Sequence, residues 1–124
     1  MKKSLFVVTA IIEIGAGLAL MIWPSTAAML LLGSSLDNPV GLTVGRVAGA
    51  ALLALGVACW LARHDAESRP AVGLIVAMLL YNSAVVLFLA VAGIGVGLVG
   101  IALWPALTLH AAMAVWCIAH VRSR

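Results

Sequence analysis

Charge is what this sequence has least of. Only 9% of its 124 residues are Asp, Glu, Lys or Arg, against roughly 25% in an ordinary soluble domain. A soluble fold of this length needs a polar coat, and seven Lys and Arg with four Asp and Glu do not supply one. Disorder is excluded on the same ground, because 65% of the residues are hydrophobic. Cysteine is nearly as scarce. Cys59 and Cys117 are too few for a disulfide framework and have no CxxC spacing, so they read as ordinary buried thiols, and no metal site is expected. There is no nucleophile elbow, phosphate loop or HExxH motif. Enzymatic chemistry would therefore need an intramembrane site acting on lipid, quinone or haem. The net charge of +3 invites an anionic partner. The basic residues gather at the chain ends and in one loop, however, where membrane topology accounts for them, and no nucleic-acid partner is expected.

What remains is a set of apolar runs of about 20 residues, each enough to cross a ~30 Å hydrocarbon core. They cover 4–23, 40–62, 70–92 and 96–119. The connections are Ser34 to Pro39, Arg63 to Arg69 and the uncharged Gly93 to Gly97. Connections this short force antiparallel neighbours, which predicts an all-α, integral membrane up-down four-helix bundle forming a single domain. Lys2, Lys3, Arg63, Arg69, Arg122 and Arg124 fall on one side of that arrangement. By the positive-inside rule both termini are cytoplasmic, in a bacterial inner membrane. Trp60 and Trp116 then sit near the cytoplasmic ends of their spans, and Trp23 and Trp104 toward the opposite face. A cleavable signal peptide is the rival reading of the first run, but Glu13 in its middle argues against it.

Smaller signals refine the layout. Ser25 to Leu32 is expected to form a short helix, with Ser25 as N-cap and Gly33 as stop. Asp37 and Asn38 before Pro39 make a good helix start. Gly41, Gly45 and Gly49 recur every four residues and mark a helix-packing face on the second span, followed by Ala50, Ala54, Ala58 and Ala62 in the same rhythm on an adjoining stripe. Gly73 with Ala77, and Ala106 with Ala114, suggest similar stripes on the third and fourth spans.

The polar residues inside the spans are the candidate site. Counting rise per residue puts Glu13 about 14 Å, Tyr81 and Asn82 about 17 Å and His110 about 16 Å above the cytoplasmic ends of their helices. Three helices thus bring a polar group to one depth. A carboxylate in hydrocarbon costs several kcal/mol unless protonated or paired, so Glu13 needs a partner, and His110 or Tyr81 can supply one. Arg46 lies roughly 10 Å beyond the midplane. Its side chain can bend toward Glu13 or snorkel outward to water and Asp37. Three roles follow for this set: a hydrogen-bond cluster that fixes which helix faces pack, a proton or cation site centred on Glu13, or haem or quinone binding through His110.

Gly45-Arg46, Gly49, Leu52-Leu53, Leu55-Gly56, Trp60 and Ala62-Arg63 resemble a pattern in the small DoxX-like and related four-helix membrane proteins of bacteria. Pro24 with Leu31-Leu32-Gly33 matches the same layout, and together these cover about half the chain. The resemblance implies the four-span architecture and, since some DoxX-like proteins are associated with respiratory or sulfur redox membranes, an accessory-subunit role. Glu13 also resembles the membrane carboxylate of small multidrug resistance transporters. Arg46 and His110 depart from their pattern, so nothing beyond Glu13 carries over. The sequence therefore predicts a small non-enzymatic membrane protein, a homo-oligomer or a subunit of a larger membrane complex in the lipid bilayer. The alternatives are a proton-coupled carrier or channel using Glu13, or a haem or quinone protein using His110.

Overall fold

The computed structural model describes residues 2–122. Among them are five α-helices and no strand: α1 (Lys2–Ile22), α2 (Pro24–Leu32), α3 (Pro39–Ala62), α4 (Arg69–Ala90) and α5 (Leu103–Arg122). A π-helical segment, Val91–Val96, carries α4 onward without a break. Lys3–Ile22, Pro39–Ala62, Arg69–Val96 and Leu103–Arg122 are each long and apolar enough to cross a membrane. The chain is a multi-pass helical membrane protein. Helix is the form such segments must take, because hydrocarbon offers nothing to an unpaired backbone group.

The ends of the helices follow from local chemistry. Asn38 caps α3, its Oδ1 accepting from the Gly41 N–H at 2.7 Å, with Pro39 in the first turn. Ser68 caps α4 in the same way, accepting from the Ala71 N–H. Ser25 is not the cap of α2. That helix starts at Pro24, after a Trp23 with no side-chain cap bond, because a proline at the first position brings no N–H that needs an acceptor. Gly33 does stop α2, in the left-handed conformation at φ 71°.

The last connection also lies elsewhere than expected. The helix runs through Gly93 and ends at Gly97, whose φ of 78° is left-handed, so the chain between spans is 97–102 and α5 begins at Leu103 rather than near Val96. Within it, the N–H groups of Gly100 and Ala102 donate to the carbonyls of Leu31 (3.2 Å) and Leu30 (2.9 Å). These are carbonyls that the end of α2 leaves without helical partners. Gly100 packs directly on the backbone of Leu30, where a Cβ would not fit.

Two antiparallel pairs make up the body. In the first, Gly49 of α3 meets Gly17 and Met21 of α1, and Gly56 meets Ala10 and Ile14, so the two chains run in opposite directions. A Cβ on Gly17 or Gly49 would come within 2.7 Å of the facing backbone carbonyl. This is the close backbone approach by which helices associate in lipid. Gly45 is buried too, but against Pro24 and Leu36, while Gly41 faces Asn38 and Leu36 and joins no helix pair. Gly56 takes its place in the stripe. On α4 the expected stripe points outward: Gly73 has nothing within 4 Å of its would-be Cβ, and Ala77 is exposed. Its inner face is formed instead by Ala71 and the larger side chains Ile75, Met78, Asn82 and Leu89.

In the second pair α4 lies along α5, with Asn82 opposite His110 and Gly93 against Leu103 and Trp104. The two pairs meet in one core: Leu5, Phe6 and Ala10 of α1, Cys59 of α3, Ala71, Ile75 and Met78 of α4, and Met113 and Cys117 of α5. Lys3, Arg63, Arg69 and Arg122 come to that same end of the molecule. There the Arg63 guanidinium stacks over Trp60, 3.9 Å from the ring centre, and bonds to the Trp60 carbonyl. Arg124 and the side chain of Lys2, which share in the charge asymmetry, lie outside the described residues.

Candidate functional site

Glu13, Tyr81, Asn82 and His110 come together between α1, α4 and α5. Glu13 is 2% exposed, on the inward face of α1 that also carries Thr9 and Gly17. The Tyr81 hydroxyl reaches across from α4 and is hydrogen-bonded to the Glu13 carboxyl. The Tyr81 ring stands edge-on to His110 of α5, with centroids 5.6 Å apart and planes at 82°. His110 Nδ1 lies 2.7 Å from Asn82 Oδ1. Asn82 Nδ2 donates to the Met78 carbonyl at 2.7 Å, which turns Oδ1 toward the imidazole. His110 therefore donates from Nδ1.

The result is two hydrogen-bonded pairs, Tyr81 with Glu13 and His110 with Asn82, joined by the edge-on contact of the Tyr81 and His110 rings. It ties the α4–α5 pair to α1. In a low-dielectric setting each of these bonds is strong, and any arrangement that leaves a member unpaired is penalised.

Arg46 is not part of it. It is exposed on α3 and, among the described residues, bonds to neither Glu13 nor Asp37, whose carboxylate accepts from the Ser35 hydroxyl at 2.6 Å. The reason is rotation about the helix axis. Gly45 and Gly49 turn inward, which carries the intervening Arg46 to the outer surface.

Three further features lie around this set. Thr9 is 1% exposed and its hydroxyl has no partner, whereas Thr43 and Thr108 donate to the carbonyls four residues back, at 2.8 Å each. His120 is 4% exposed and its Nδ1 donates to the Trp116 carbonyl at 2.9 Å, so it belongs to the packed end of α5. It is ten residues from His110 on the same helix, about 15 Å along the axis, too far for both to ligate one haem iron. Cys59 and Cys117 are 0% exposed and lie within electrostatic reach of each other. A signal for that pairing existed, since both stand a few residues before the basic end of their spans.

Compared with known proteins, the chain matches no family model, no curated protein and no solved structure.

Proposed function

We propose that this protein is a non-enzymatic subunit of the bacterial inner membrane, an up-down four-span bundle with both termini cytoplasmic. It acts through helix–helix association, with copies of itself or within a larger membrane complex of the kind the DoxX-like resemblance implies. In this reading the network of Glu13, Tyr81, Asn82 and His110 is the internal clamp that presents a fixed outer surface.

The observation that carries the proposal is Arg46. It lies seven residues into α3, about 10 Å past the start of the helix, exposed and, among the described residues, without a partner. A guanidinium on the outside of a membrane span is costly unless something anionic meets it, and such residues face protein neighbours or water-filled cavities far more often than lipid. Around it α3 exposes Ala50, Ala54 and Ala58, small enough for another helix to come close.

Native mass spectrometry of the protein extracted in mild detergent tests this. An oligomer or a defined complex is expected, and Arg46→Leu should dissociate it while circular dichroism stays unchanged. A monomer with no co-purifying protein would overturn the proposal.

A further inference from the structure

The core that joins the two helix pairs is unusually rich in sulfur. The chain has two cysteines and five methionines among 124 residues, yet of the nine core residues four are Cys59, Met78, Met113 and Cys117. They come from three different helices, α3, α4 and α5. Both thiols are 0% exposed, Met78 is 2% and Met113 5% exposed, and neither cysteine is in a disulfide. Met113 and Cys117 are one turn apart on the same face of α5, and Cys59 lies within electrostatic reach of both Cys117 and Glu13.

Geometry and hardness decide what such a cluster can hold. Among the described residues no three of His, Cys, Asp and Glu converge as a metal site, so a zinc-type tetrahedral centre is not available. Two thiols with two thioethers are the donor set of a soft monovalent ion, which accepts low coordination numbers and prefers sulfur to oxygen or nitrogen.

We propose that Cys59 and Cys117, assisted by Met78 and Met113, form a buried binding site for a soft d10 monovalent ion, Cu(I) or Ag(I). Binding replaces one thiol proton: the Cys S–H bond breaks, a Cys S–metal bond forms, and H⁺ leaves. The second thiol stays protonated and the thioethers bind as neutral donors. The thiolate and the cation cancel, so the apolar core gains no net charge, which is what lets an ion reside there at all. The site is independent of the associating role proposed above, and its test does not depend on oligomeric state.

The experiment is anaerobic competition between the full-length protein in detergent and a chromophoric Cu(I) chelator, with sulfur coordination read by X-ray absorption. One Cu(I) per chain with a sulfur-only shell is expected. Apparent affinity should fall tenfold for each pH unit lowered, because one proton is released per ion. Cys59→Ser and Cys117→Ser should each abolish binding. Met78→Leu and Met113→Leu keep the volume of the core and so the fold, and each should weaken binding about tenfold, equivalent to about 1.4 kcal/mol. No competition with the chelator, a shell of nitrogen or oxygen, or binding that survives both serine variants would overturn the proposal.

Discussion

At the scale of single residues, Asn82 and Thr9 make opposite predictions although both are polar and 1% exposed. Asn82 uses both ends of its amide, donating to Met78 and accepting from His110. Asn82→Leu strips the imidazole of its partner and should cost about 1 kcal/mol, the usual scale of an interhelical bond in a membrane protein. Thr9 has a buried hydroxyl with no partner. Thr9→Val removes an unpaired group at nearly constant shape and should leave stability unchanged or raised. Denaturant titration of both variants in detergent compares them directly. A loss for Thr9→Val as large as that for Asn82→Leu would mean that the Thr9 hydroxyl is engaged. Much of the network was legible beforehand, because rise per residue is constant and placed Glu13, Tyr81, Asn82 and His110 at one level. Which atoms would meet was not legible, since that depends on how far each helix is rotated. Arg46 shows the same limit: its depth followed from counting, and its outward direction did not.

At the scale of elements, glycines at equal spacing turn out to have unequal work. Gly17 and Gly49 hold α1 and α3 at backbone contact, whereas Gly73 faces outward into open space. Gly49→Ala forces a Cβ against the Gly17 carbonyl at 2.7 Å and should destabilise by about 1–3 kcal/mol, the range for overpacked cores. Gly73→Ala meets nothing and should be neutral or gain up to about 1 kcal/mol from lower backbone entropy in the unfolded chain. Thermal unfolding in nanodiscs separates the two. A Gly73→Ala variant as damaged as Gly49→Ala would show that the outer face of α4 is covered by another chain. The four-residue repeat announced a packing helix, but it did not say that Gly41 would end beside a loop or that Gly56 would take its place. The displaced start of α5 has a similar cause. A run holding Gly93, Gly95, Gly97 and Gly100 offers several places to stop a helix. The stop at Gly97 is accompanied by bonds from Gly100 and Ala102 to Leu31 and Leu30, about seventy residues away in sequence.

At the scale of the whole molecule, the gathering of Lys3, Arg63, Arg69 and Arg122 at one end predicts how the protein sits in its membrane. The native thiols are fully buried, so a membrane-impermeant maleimide should report only on introduced cysteines. Ser34→Cys should be labelled in intact spheroplasts, and His64→Cys only after the membrane is opened. The reverse pattern would place the termini outside.

Composition and rise along a helix are local properties, and they sufficed for the sequence to determine four apolar spans, the proline and asparagine start of α3, and the shared depth of the polar groups. Rotation of each helix and its choice of neighbour are not local. They were decided by contacts between distant segments: Gly17 on Gly49, Tyr81 on Glu13, His110 on Asn82, and the two buried thiols of Cys59 and Cys117 brought within electrostatic reach. In lipid, where apolar side chains gain little by exchanging hydrocarbon for one another, close backbone approach and the pairing of buried polar groups do that deciding.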